Sequence, residues 1–160
     1  MIRFNDPHAT GLISRHSRVP FIKDYHTTIA RYDRRDMLMG GVMYTDFNHA
    51  SIQLHIAAFQ PNWVNREMLW VCFNYPFCKL GVNKLIGLVP ENNKAAIVFD
   101  LHLGFVVEHT VRDVFPGGEG MVVLGMYAEQ CRFLKMRRPQ LTLESNREWE
   151  SRPPKLTTAA

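Results

Sequence analysis

Two apolar segments of strand character, IQLHIAAF (52–59) and KLIGLVP (84–90), stand on either side of a stretch with helical spacing. That order constrains the fold more than any other feature of the chain. From Val64 to about Tyr75 the apolar residues fall at 64, 68, 69, 72 and 73, one face of a helix. A strand, a helix and a second strand share one sheet through a parallel crossover, because a hairpin cannot reverse the chain over that length. Pro76 is expected to kink or end the helix, since it lacks a backbone donor and clashes with the preceding turn at a cost of ~3 kcal/mol. After the second strand, Asn93 is placed to cap a helix through AAIVFDLHL, and Gly104 to stop it.

Antiparallel signals flank this crossover. HTTIARY (26–32), the charged turn DRRD, MLMGGVMY (37–44) and ASIQLHIAAF (50–59) predict a three-strand meander, with Gly40-Gly41 marking a bulge or a close backbone approach. FVVEHTVRDVF, the turn PGGEG and MVVLGMYAEQCRFL predict a hairpin of two long strands. The expected architecture is α/β (α+β): a mixed, mostly antiparallel sheet covered by helices. One domain over residues 1–135 is expected, followed by a polar tail, 136–160, with room for one short helix.

Of the 160 residues, 46% are hydrophobic and 21% charged, enough to bury a core. The net charge of +4 is uneven: +3 over residues 1–40, −3 over 41–129 and +4 over 130–160. Basic arms of this kind, including Arg34-Arg35 and Arg137-Arg138, could meet nucleic acid, although solvated surface is their commoner role. No leader pattern or membrane-length apolar run occurs. Cys72, Cys78 and Cys131 lack metal-site spacing and fit a reducing, cytoplasmic setting. No metal is expected.

The segment LGVNKLIGLVPENNKAAIVFDLHLGF (80–105) resembles the C-terminal half of the GNAT superfamily of acyl-CoA N-acyltransferases. There a helix closes on Leu-Gly, a strand follows, and Asn-x-x-Ala/Ser opens a helix ending in Leu-Gly-Phe. Leu80-Gly81, Asn93, Ala96 and Leu103-Gly104-Phe105 fall in that register. VVEHTVRD and VVLGM look like the family's last two strands and MLMGGVMY like its third, so the resemblance spans about residues 26–135. It implies a six- to seven-stranded sheet whose fourth and fifth strands splay apart to take the acyl-pantetheine arm of acetyl-CoA or another acyl-CoA. Backbone of Ile56, Ala57, Ala58 and Val89 would pair with that arm, with Ala96 and Phe99 on the adjoining helix. Asn93 either holds the ligand amide or only caps its helix.

The chain also departs from the family. Relatives carry R/Q-x-x-G-x-G/A before the central helix, where amides and the positive helix end cradle the CoA pyrophosphate. Here the corresponding stretch is FQPNWVNREMLW (59–70), with Pro61 and Trp63 in the glycine places, or with a shortened loop and Pro61 at the strand end. Asn62 or Asn65 would cap this helix, Glu67 matches an early acidic residue of relatives, and Arg66 in the first turn either answers an anion or pairs with a surface carboxylate. Trp63 either packs beneath the helix or stacks on the cofactor. Relatives also place a Tyr seven residues after the Asn as general acid; Asp100 stands there, and since an ionised aspartate cannot donate a proton the role is vacant unless burial raises its pKa, an exposed helix residue being its simplest reading. Tyr44 and Tyr127 are the remaining candidate acids.

His55, in the fourth strand, is the candidate base, with His49 and Glu108 behind it. Only about 25 residues precede HTTIARY, so the front is truncated relative to the family and the acceptor side more open. That suits a protein amine or another large acceptor, and compact members of this sort look like ones encoded by bacteriophages, which would place the protein in host cytoplasm. A homodimer is compatible with the family. Three readings follow from the residues: an acyl-CoA-dependent N-acetyltransferase, a non-catalytic binding or structural protein on a degenerate fold, and a nucleic-acid-modifying transferase.

Overall fold

A computed structural model of the chain describes residues 1–151 and Leu156. Seven strands form one sheet in the order β1-β2-β3-β4-β5-β7-β6. They are β1 (Ile2–Phe4), β2 (Thr27–Tyr32), β3 (Leu38–Thr45), β4 (Ser51–Ala58), β5 (Lys84–Pro90), β6 (Val106–Val111) and β7 (Met121–Tyr127). Every neighbouring pair is antiparallel except β4 with β5, the crossover that the sequence demands. Helix α1 (Pro7–Ser17) covers one face, while α2 (Arg66–Asn74) and α3 (Lys94–Leu103) cover the other. The front of the chain thus supplies the first strand and one helix.

Gly40 and Gly41 let both layers come close. A Cβ on Gly41 would lie 2.7 Å from Ile13 Cδ1 of α1, and one on Gly40 would lie 2.8 Å from the Trp63 ring on the opposite face. The pairing also slips by one residue between Arg31 and Tyr32, so the pair marks both a close approach and an irregularity. Helix α1 starts at Asp6, whose Oδ1 accepts from the Ala9 amide at 2.9 Å and from the Tyr32 hydroxyl at 2.7 Å. Burial alone would raise the Asp6 carboxyl, but these donors outweigh it and hold the group below its ordinary range. Asp6→Ala is therefore expected to cost about 1–2 kcal/mol in denaturant unfolding at neutral pH. The native protein should lose this increment as pH falls through the depressed value, and the variant should lack that part of the acid transition.

The α-helical bonding of α2 ends at Asn74, just before Pro76, and the chain passes into a π-helical turn, Tyr75–Leu80, closed by Gly81 at φ 73°. Having no N–H, Pro76 leaves the Cys72 carbonyl without its α-helical donor, and the Tyr44 hydroxyl donates to that oxygen at 2.6 Å. Two expectations are corrected. The last strand stops at Tyr127, and AEQCRFL forms two short 3-10 turns, Ala128–Gln130 and Arg132–Lys135, which bury Phe133 against Phe73. Within the expected tail, α4 (Leu143–Ser151) packs rather than trails: Trp149 lies 4.9 Å from the Trp70 ring, and buried Ser145 accepts from the Ile2 amide at 2.7 Å. Residues 152–155 and 157–160 of that tail lie outside the described residues.

Candidate active site

Strands β4 and β5 pair only from Ser51 with Lys84 to Leu54 with Gly87. Beyond that fork His55–Ala58 keep β3 as partner and Leu88–Pro90 keep β7, but the two strands no longer bond to each other. A cleft of about 1020 Å³ opens there. Its walls include Gln53 and His55, which point to the α1 face, and Leu54 and Ile56, which point to the α2/α3 face. The gap therefore runs through the sheet, with His16–Val19 at one mouth and Asn92–Asp100 at the other. Unpaired strand edges inside a domain call for another partner, and an extended ligand with amide groups supplies one.

Several expected site residues meet in this cleft. Ile56, Ala58, Val89, Asn93, Ala96 and Phe99 all line it, as do His55 and Trp63. Asn93 caps α3 through Oδ1, which accepts from the Ala96 amide at 3.2 Å, and also lines the cleft, so capping and contact are compatible. Ala57, expected to pair with the ligand, does not line the cleft: its backbone turns to β3 and its side chain is fully buried in the core beneath α1. The His55 ring approaches Thr45 Oγ1 with Nε2 at 2.9 Å, and that hydroxyl donates to Asp46 Oδ2 at 2.7 Å. A hydroxyl has one hydrogen, so Nε2 must carry its own and donate, leaving Nδ1 as the nitrogen able to take a proton. Burial pushes the His55 pKa down, with the Asp46 charge opposing, and favours the neutral ring.

Other expected residues stand elsewhere. Tyr44 is fully buried in an apolar pocket of about 20 Å³, its hydroxyl committed to Cys72 and its pKa raised well above the ordinary value by burial, so it does not serve as an acid in the cleft. Tyr127 sits at the paired end of β5, opposite Lys84, away from the fork. Glu108 is paired with Lys84 at 2.7 Å and His49 packs edge-on against Phe47; neither lines the cleft. Asn65, not Asn62, caps α2, its Oδ1 accepting from the Met68 amide at 2.8 Å. Arg31 donates to the Asn62 and Trp63 carbonyls at 2.7 and 2.9 Å and holds that loop. Glu67 accepts from the Thr142 amide. Arg66 is exposed and makes no ion pair among the described residues, so the surface-carboxylate partner is not found. The four residues Asn62, Asn65, Arg66 and Glu67 adjoin the cleft through Trp63 and do not line it.

The carboxyl that the sequence leaves out is Asp100. It is not an exposed helix residue: only 8% exposed, it lines the cleft, and burial pushes its pKa up to about 7. Its place one turn before Gly104 and beside Phe99 carries no signal of burial in the helical pattern, because α3 exposes Val98 and Leu101 on its outer side.

A half-paired parallel strand pair between antiparallel ends, open from face to face and followed by an Asn-capped helix, defines the GNAT fold. Solved structures match this chain accordingly. Mutant forms of the spermidine/spermine N-acetyltransferase SpeG from Vibrio cholerae align with a TM-score of 0.68 at 16% identity, over 84% of this chain and 97% of theirs. The spermidine N-acetyltransferase from Vibrio cholerae in complex with CoA and spermine aligns with a TM-score of 0.60 at 21% identity, over 78% of this chain and 75% of its own. A dodecameric structure of that enzyme aligns with a TM-score of 0.63 at 16% identity, over 79% and 92%. No protein-family model matches the chain, and no curated protein matches it in sequence. Among the described residues no helix is long and apolar enough to cross a membrane.

Proposed function

We propose that the protein is an N-acyltransferase that moves an acyl group, acetyl in the first instance, from acyl-CoA to an amine. The observation that carries this is the open fork between β4 and β5, with His55 one residue beyond the last pair. On β4 the backbone of Ile56 and Ala58 turns away from β3 and is free to bond an acyl-pantetheine arm, whereas the groups of Ala57 and Val89 turn to β3 and β7; Asn93 and Ala96 line the same cleft. The Arg66 and Glu67 amides open α2, and the exposed Arg66 guanidinium adds positive charge for the diphosphate end. His55, neutral and hydrogen-bonded through Nε2, takes the proton that the attacking nitrogen must lose. Because the cleft reaches a second mouth at His16–Val19 on the α1 face, we take the acceptor amine to be on a long or large molecule, a polyamine or a lysine side chain. Calorimetric titration with acetyl-CoA is expected to show one site per chain, followed by thiol release with spermidine or a lysine peptide. No heat at high protein concentration would sink the proposal.

One observation favours a second reading, a binding protein without turnover. Trp63 fills the place of the cradle glycine and its carbonyl is bound by Arg31, so fewer loop groups remain for phosphate. Acetyl-CoA binding with no acyl transfer to any amine probe would select it.

A further inference from the structure

The fork brings two ionisable groups to one cleft from opposite faces of the sheet. Leu54 and Gly87 form the last β4–β5 pair, and His55 follows Leu54 with its ring on the α1 face. From the other face Asp100 of α3 reaches the same level: its Oδ2 lies 3.7 Å from where a Cβ on Gly87 would stand. Both side chains line the cleft. The Asp100 carboxyl, more than nine-tenths buried, makes no side-chain hydrogen bond or ion pair among the described residues, and no buried side-chain oxygen or nitrogen there lacks a partner. Its oxygens therefore retain access to the cleft, among Leu54, Ile56, Val89 and Phe99.

Resting on the transferase reading above, we infer that Asp100 is the proton donor to the departing thiolate. The amine nitrogen bonds to the acyl carbon and the carbon–sulfur bond breaks. The nitrogen's surplus proton goes to His55, and the electron pair leaving with sulfur takes the proton of Asp100. The products are an amide and a free thiol, after which Asp100 regains a proton from water and His55 releases one. An ionised carboxylate could not do this, but a carboxyl held in apolar surroundings keeps its proton to near neutrality. Burial thus acts on the two groups in opposite, useful directions, raising Asp100 and lowering His55 against the opposing charge of Asp46.

The other ionisable groups facing the cleft are His16 of α1, Arg18 just after its end and Glu119 of the β6–β7 turn, with Tyr44 and Cys72 in the adjoining pocket. As pH rises, loss of a proton from His55 or from the amine raises the rate, and burial keeps Tyr44 and Cys72 neutral. A fall in rate above about pH 7 therefore belongs to Asp100. Thiol release from acetyl-CoA, with spermidine and a lysine peptide as acceptor probes, would be followed from about pH 5 to about pH 9 for the wild type, D100N, D100E and D100Y. The neutral, isosteric D100N is expected to lose about 100-fold and the alkaline fall, D100E to retain most of the rate, and D100Y to move the fall to higher pH. With an aryl thioester donor, whose thiol leaves without a proton, D100N should come close to wild type. Should D100N keep both rate and alkaline fall, or lose both donors alike, the assignment is overturned while the transferase reading stands. A wild type that binds no acetyl-CoA overturns both.

Discussion

The His55→Gln protein is expected to turn over at least about 100-fold more slowly than the wild type while binding acetyl-CoA as tightly. Glutamine keeps a donor near Thr45 but has no nitrogen that can accept a proton at neutral pH. The sign of the pH dependence follows from burial, which lowers the His55 pKa, with Asp46 pulling weakly the other way. If His55 is the base proposed above, the neutral ring is the working form and the wild-type rate should fall as pH drops through a value below that of a free histidine. His55→Gln should lack this acid limb. Thr45→Val would release Nε2 from the Thr45 hydroxyl and its link to Asp46, and is expected to shift the limb with a smaller loss of rate. Unchanged turnover and an unchanged acid limb in His55→Gln would remove His55 from the chemistry.

Trp63→Ala is expected to destabilise the fold by about 3–5 kcal/mol. The indole is buried, lies against the bare backbone of Gly40 and packs on Phe99 with ring centroids 6.0 Å apart. It lines both the small apolar pocket and the cleft, so its removal joins the two and leaves a void that the rigid sheet cannot close. Denaturant unfolding should show a lower midpoint at an unchanged slope. Gly40→Ala tests the same contact from the other side, because its methyl would stand 2.8 Å from both the indole and the Ala57 carbonyl. In a double-mutant cycle the two should couple by about 0.5–3 kcal/mol, since removing the indole relieves one of the two clashes. A loss below about 1 kcal/mol for Trp63→Ala would mean that the ring is held in the loop and not in the core.

These two sites show how far residue patterns reach. The face of His55 was legible because alternation places it with Gln53 and Ala57, whereas the fork was expected only through the resemblance of residues 80–105 to the acyltransferase family and not from residue pattern. Asn93 was legible as a cap, and Asn65 as one of two candidates beside Asn62, because a cap is a contact over three residues, to Ala96 and Met68. Gly40-Gly41 announced a close approach but not what approaches, since Ile13 and Trp63 come from separate parts of the chain.

Local order therefore belonged to the chain: strand and helix sequence, the crossover, the helix caps and the glycine pair all depend on neighbours a few residues away. Protonation and engagement belonged to the tertiary structure. Tyr44 has a hydroxyl anywhere, but only the fold sets it beneath the Cys72 carbonyl that Pro76 leaves without a donor, and so removes it from the cleft. Asp100 is an ordinary carboxylate in sequence, and only the packing of α3 over Gly87 strips its water and returns its proton. The physical reason is common to both: desolvation is a sum over everything that surrounds a group, and most of what surrounds these two is distant in the chain.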